Sequence, residues 1–339
     1  ASGLDPVTGR PDIREEALWF DEAAIVAPGP IGAHNWQPMS FHPGEGLVYI
    51  PAISLLHFWE PVEKFEYQPG SFNTGEDFAA LVESIGPIAS LRLWPCDRTR
   101  LLAWDPVTQA ARWEVPQDTG VPGGVLSTAG GLVFQGNGTG VFRAYASGTG
   151  EVVWSIDVGT GIMAPPVSYA INGEQYVVVL AGIGGGAGLH FEDLRNDNAG
   201  QVLAFKLGGE ASLPAVVPLE REFPAVDVSD LREEVIDRGR VVYAQTCMRC
   251  HGGAVVSSGM LPDLRMSSPE VHSSWDDIVL GGTLTAQGMS SFADVISKAD
   301  SEAVRAYVLS EAARQQSPVT QALQWAAPNF CLPVSWMLD

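Results

Sequence analysis

The chain has few cations. Only 19 of its 339 residues are Lys or Arg, against 40 Asp or Glu, and the net charge is −21. Nucleic-acid binding needs clustered Lys and Arg, so that class of partner is excluded. The acidity serves solubility on the plain reading and a basic electron-transfer partner on the sharper one. Cysteine is scarce too, with 4 residues, of which only Cys247 and Cys250 stand close together. The second ligand pair of a structural zinc site is missing. No apolar run reaches the ~18 residues of a membrane-spanning helix. Charged residues make up 17% and apolar residues 46%, a balance that excludes wholesale disorder. The opening ASGLDPVTGR lacks the charged-then-apolar pattern of a signal segment. Its DPVTG is a strand-joining turn, so the expectation is that sequence precedes Ala1, as a separate chain or as part of a larger gene.

Glycine (37) and proline (24) are plentiful, as frequent turns between short strands require. Residues 1–210 hold short β-like runs, and helical patterning begins near Leu231. The stretch between them, EASLPAVVPLEREFPAVDVSD, has three prolines and alternating acids, so it reads as an extended linker. The β half repeats. Ala103 is followed by the turn Asp105–Gln109 and Trp113, and Ala144 by the turn Ser147–Gly150 and Trp154; the two Trp are 41 positions apart. Four strands fill the interval: Gly124–Thr128, Leu132–Gly136, Val141–Tyr145 and Val152–Ile156. One four-stranded sheet per repeat predicts a propeller blade, with each Trp a buried wedge between neighbouring blades. An irregular β-sandwich is the alternative. In the helical half, Val235, Ile236, Val241, Val242 and Tyr243 form one face. Lys298–Ser301 is expected to cap a last helix carrying Val304, Tyr307 and Val308. The expected division is 1–210 propeller, 211–231 linker, 232–318 all-α domain, and 319–339 a tail too apolar to be free that packs on the propeller.

Cys247-Met248-Arg249-Cys250-His251 carries the chemistry. Cys-x-x-Cys-His is a haem c attachment sequence. Two thiols three residues apart can each reach a vinyl group of one porphyrin, and the adjacent His251 then faces the iron. Met260 lies nine residues past His251 and is too close to cross the haem plane, Met266 is a candidate, and Met289 is preferred. Its neighbour Gly288 lets the backbone approach the ring. Thioether ligation suits electron transfer over oxygen chemistry. The carbonyl of Pro262 is expected to orient His251 through its ring N–H. Such attachment occurs outside the cytoplasm, in an oxidising place. A Cys96–Cys331 disulfide tying the tail to the propeller follows as an expectation; two buried free thiols remain the alternative.

A propeller followed by a cytochrome c domain resembles the quinohaemoprotein alcohol dehydrogenases. The resemblance rests on Gly32–Phe41 with Gly46–Ala52, Leu101–Pro106, Gly182–Gly186, Cys247–His251 and Gly288-Met289. It implies the C-terminal blades of an eight-bladed β-propeller holding pyrroloquinoline quinone (PQQ) and Ca²⁺, then an all-α class I cytochrome c domain. Asn35 would hydrogen-bond PQQ, Trp36 would wall its pocket, and Gly185 and Gly186 would present backbone N–H groups to it. The family's catalytic Asp and Ca²⁺ ligands fall upstream of Ala1, so no catalytic residue is assigned to this chain. The implied activity oxidises a primary or secondary alcohol and passes electrons through haem c to a soluble acceptor, a cupredoxin or cytochrome c, in the periplasm. The remaining blades would come from an N-terminal partner or a missing segment. Ser290, where relatives often have Pro, marks divergence. The alternative is an electron-transfer module, a cytochrome c on a propeller without a working quinone site.

Overall fold

The computed structural model describes residues 3, 5–67, 69, 73–83, 99–117, 119–184, 196 and 200–326. Strands occupy the first part. They are β1 Ala24–Val26, β2 Ser40–His42, β3 Leu47–Ile53, β4 His57–Trp59, β5 Thr99–Asp105, β6 Ala110–Gln117, β7 Pro122–Thr128, β8 Leu132–Asn137, β9 Val141–Ala146, β10 Val152–Asp157, β11 Val167–Ile171, β12 Glu174–Ala181 and β13 Gln201–Phe205. They form antiparallel sheets in the orders β2-β3-β5-β6, β7-β8-β9-β10 and β11-β12-β13, with a separate β1-β4 pair. The four strands read from sequence are β7 to β10. No closed sheet forms among the described residues; the sheets are propeller-type blades.

The sequence repeat has a structural cause. Ala103 pairs across its hairpin with Trp113, and Ala144 with Trp154, each beside a register shift. The turns match as well: Gln109 (φ 55°) and Gly150 (φ 76°) both take the left-handed conformation, 41 positions apart. Trp113 is half-buried and does wedge between blades. Its Nε1–H donates to Ser147 O at 2.9 Å, and a Cβ on Gly150 would lie 2.7 Å from its ring. Trp154 corrects the expectation, for it is 38% exposed. It still bridges two sheets, meeting Phe142 of its own and Phe205 of the third edge-on, with ring centroids 5.8 and 5.4 Å away, but it is not buried there. Leu47, Tyr49, Leu101, Val125, Val133 and Tyr145 make the core between the first two four-stranded sheets.

The second part is helical: α1 Glu233–Thr246, α2 Met248–His251, α3 Pro269–Ser273, α4 Trp275–Val279, α5 Lys298–Gln315 and α6 Pro318–Ala326. Helix α6 was not expected, and α5 is therefore not the last helix. The cap of α5 is Ser297, one residue earlier than expected, in a reciprocal capping box with Asp300. Helices α1 and α5 cross in backbone contact at Gly239, where a Cβ would lie 1.9 Å from Ala303 O. Tyr243, Val255, Trp275, Val279, Val304, Tyr307 and Val308 build the core around this crossing.

One member of that core comes from the β half. Helical segment 78–83, between β4 and β5, places Val82 (3% exposed) among the helical-domain residues. Asp77 Oδ1 caps the segment by accepting from Ala79 N and Ala80 N. Arg240 on α1 donates to Ala79 O at 3.0 Å and pairs with Glu83 at 3.0 Å.

Candidate haem and quinone sites

The residues expected to attach haem lie on one helical turn. Cys247 N donates to Tyr243 O, and Cys250 N and His251 N both donate to Cys247 O, so α1 runs almost directly into α2. Gly252 stops the turn at φ 82°, and a Cβ there would lie 2.0 Å from Val256 O. The buried Tyr243 hydroxyl holds the Gly252 carbonyl at 2.7 Å. Three chemically useful groups thus sit on a short, firmly ended element.

Their surroundings fit a haem. His251 Nδ1 lies 3.0 Å from Pro262 O, which fixes Nδ1 as the donor and leaves Nε2 as the nitrogen available to iron. Burial lowers the pKa of His251, which favours the neutral imidazole that a metal requires. Burial pushes the Cys247 thiol up to about 11, so the sulfur is a protonated thiol at neutral pH. Met289 packs on the same apolar core as Cys247 and Met248. Beside it Gly288 (φ 99°) has no atom within 4 Å of a built Cβ, the open approach a flat ring needs. Met260 lies elsewhere, on the propeller cluster Val121, Met163 and Ile183. No group of three or more His, Cys, Asp or Glu among the described residues could hold a metal ion.

Behind His251 lies a buried ion pair that sequence patterning missed. Asp263 and Arg265 side chains are 1% and 2% exposed and meet at 2.6 Å. An Arg two residues from an Asp is ordinarily a surface pair. The available signal was its place between Leu261, Leu264 and Met266.

The expected quinone residues are only partly described. Gly185, Gly186, Cys96 and Cys331 lie outside the described residues. Asn35 spends its side chain within its own loop: Nδ2 donates to Ile31 O and Oδ1 accepts from Trp36 N, both at 2.8 Å. Trp36 is 55% exposed, a free aromatic face. Next to it the buried Gln37 Oε1 has no hydrogen-bond partner among the described residues. The exposed aromatic face of Trp36 fits one wall of an aromatic ligand's site. Asn35 and Trp36 share no element with the haem residues. Ile183, which precedes Gly184, packs with Met260 from the segment after the Cys247–His251 turn.

Known proteins match along the same division. The family model described as glucose/ethanol/alcohol dehydrogenase, beta-propeller domain, matches residues 16–177. The model described as cytochrome C oxidase, cbb3-type, subunit III, matches residues 234–308. Quinohemoprotein alcohol dehydrogenase ADH IIB of Pseudomonas putida is 38% identical over 91% of this chain and 44% of its own length. ADH-IIG of the same species is 40% identical at the same coverage. The solved structure of quinohemoprotein alcohol dehydrogenase ADHIIG from Pseudomonas putida HK5 superposes with a TM-score of 0.78 at 35% identity, over 95% of this chain and 48% of that one. The quinohemoprotein alcohol dehydrogenase of Comamonas testosteroni gives a TM-score of 0.73 at 29% identity. The chain thus spans less than half the length of these relatives. It joins a PQQ-dehydrogenase propeller domain to a cytochrome c domain, and over about nine-tenths of its length it is similar to the quinohaemoprotein alcohol dehydrogenases.

Proposed function

We propose that the chain serves PQQ-dependent oxidation of a primary or secondary alcohol, carrying the electrons to a covalent haem c and on to a soluble acceptor in the periplasm. One observation carries this reading. Met260, on the loop after the haem-attachment turn, packs on Val121, Met163 and Ile183, the last of which precedes Gly184 in the chain. The haem-attachment loop therefore abuts the region where the family resemblance puts the quinone.

When bound, PQQ with its Ca²⁺ would supply the acceptor for the alcohol's hydride, and the haem a one-electron carrier. This chain's residues hold and orient. Cys247 and Cys250 would form the thioethers, and His251, kept neutral by burial and held by Pro262, would be one iron ligand. Met289 would be the other. Trp36 would cover the quinone with its exposed ring while Asn35, fixed in its loop, presents its remaining donor and acceptor sites. Gly185 and Gly186 would offer backbone N–H groups. The Asp base and Ca²⁺ ligands would come from blades upstream, completing an eight-bladed propeller. The apolar, exposed Val167, Tyr169 and Ile171 of β11 give such blades a surface to pack on. The organisation proposed is propeller 1–210, linker 211–231, class I cytochrome c domain 232–318 and a tail 319–339 against the propeller.

The locally bonded Asn35 favours a second reading, an electron-transfer module with no working quinone site. Reconstitution of the holoprotein with PQQ and Ca²⁺ separates the two. Haem reduction that depends on added alcohol supports the enzyme; haem that is reducible by dithionite but not by any alcohol with PQQ bound supports the module.

A further inference from the structure

The segment connecting β13 to α1 has no regular secondary structure, yet it is fastened to the haem domain at three points. Arg221 Nη2 donates to Ser258 O at 3.4 Å. The Phe223 ring covers the Arg265 guanidinium, with its central carbon 5.1 Å from the ring centroid. Pro224 O accepts from Gln316 Nε2 at 2.5 Å, just past the end of α5. A passive tether needs none of these contacts, least of all one that buries an aromatic face on a cation.

The cation covered by Phe223 belongs to the loop that supports His251. Arg265 grips Asp263 with two prongs, Nε to Oδ1 at 2.9 Å and Nη2 to Oδ2 at 2.6 Å, and its backbone N–H also donates to Oδ1 at 3.1 Å. Asp263 is bonded directly to Pro262, whose carbonyl holds His251 Nδ1. From the other side, Ser257 Oγ donates to Leu261 O at 2.6 Å. The carbonyl facing the imidazole is therefore clamped between a buried ion pair and a serine bridge. A buried pair keeps its geometry only while both charges stay paired and covered, because each alone is strongly disfavoured away from water. Phe223 is that cover, through a cation–π contact of the kind that strengthens on desolvation.

We propose that Phe223, Arg265 and Asp263 are positioning residues for the haem: through them the connecting segment fixes the Pro262 carbonyl and so sets the electron-donating strength of His251 towards the iron. A firmly held carbonyl draws on the Nδ1 proton, makes the imidazole a stronger donor and favours oxidised iron. Slackening the clamp raises the midpoint potential. The domain connection thereby reports on the haem, and a shift of propeller against haem domain would alter how readily electrons arrive. This inference rests on the haem reading but not on a working quinone site.

The test is redox titration of the haem in the holoprotein, with thermal stability measured alongside. Phe223→Ala is expected to shift the one-electron equilibrium at least threefold towards reduced haem, about 28 mV at about 59 mV per decade. Phe223→Trp, which keeps the stack, should hold the wild-type midpoint. Asp263→Asn should move the midpoint in the same direction as Phe223→Ala. Lower thermal stability with an unmoved midpoint in Phe223→Ala would reduce the contact to packing and overturn the proposal. If that variant does not accumulate, Phe223→Leu decides on the same readout: an upward shift supports the relay and an unmoved midpoint ends it. Absence of covalent haem from the wild-type holoprotein, seen by pyridine haemochromogen, would instead sink the haem reading itself.

Discussion

Gly239→Ala sets two physical effects against each other. In an isolated helix the change is favourable by about 0.8–1.0 kcal/mol, because Ala loses less backbone entropy. In α1 the new methyl would sit 1.9 Å from Ala303 O and 2.9 Å from Tyr307 Cβ. A carbon–oxygen contact settles near ~3.3 Å, so α1 and α5 would have to part by roughly 1.4 Å at their crossing. Parting them loosens the edge-on Tyr243–Tyr307 contact at 5.4 Å and strains the Trp275 Nε1–H bond to Ser301 O at 3.0 Å. Inserting one methylene into a packed core costs about 1–3 kcal/mol. Here the obstacle is backbone and cannot rotate away, which puts the cost at the upper end. The net expectation is a loss of about 1–2 kcal/mol. Soret circular dichroism during heating of the holoprotein reads it, at about 4–8 °C per kcal/mol for a domain of this size. A second change, Ala303→Gly, should not rescue it, because the clash is with the carbonyl and not with the Ala303 side chain. An unchanged or raised midpoint in Gly239→Ala would refute the backbone-contact crossing.

Other outcomes follow from the haem residues and from the cap of α5. Cys250→Ser should leave one porphyrin vinyl group conjugated and move the pyridine haemochrome α-band to longer wavelength; an unmoved band would show that Cys250 forms no thioether. Met289→Ala should open an iron position, so that the reduced variant binds carbon monoxide while the wild type does not; equal binding by both would remove Met289 from the iron. The Asp300 carboxyl is held below its usual pKa, first by the Ser297 hydroxyl and then by Arg238. Its contribution is therefore present above the unfolded carboxylate value and disappears as pH falls through the lowered folded value. Asp300→Asn should lower stability at neutral pH and flatten the acid limb of the stability profile. A limb as steep as the wild type's would place the acid-sensitive group elsewhere.

Local chemistry made much of this molecule legible in the sequence. The strands β7 to β10 are bounded by turn residues such as Asn137–Gly140 and Ser147–Gly150, whose preferences act over a few bonds. The Ala–Trp spacing of the repeat is a cross-strand pair, Ala103 with Trp113 and Ala144 with Trp154, so it too is a short-range signal. The haem-attachment turn needs only five consecutive residues. What escaped depends on distant partners. Segment 78–83 is too short to show a period, and its Arg240 partner lies 161 residues from Ala79. Arg265 looks like a surface cation until Asp263 and Phe223 close around it. The exposure of Trp154 depends on which sheet face its neighbours leave open. The expected cap Lys298–Ser301 began one residue late: Asp300 does take part in the capping box, but its partner Ser297 lies just before that stretch.

Val82 has a consequence for how the molecule is assembled. The core of the haem domain is not contiguous in the gene: it borrows a side chain made long before α1 leaves the ribosome. Segment 78–83 must wait, its apolar side uncovered, until α1 and α5 meet. The helical domain is then less a bead on a string than a unit completed by a piece of the β half. A cut in the connecting segment would leave the two halves still engaged through Val82 and the Arg240–Glu83 pair. Residues 232–326 produced alone would carry a gap where that side chain belongs.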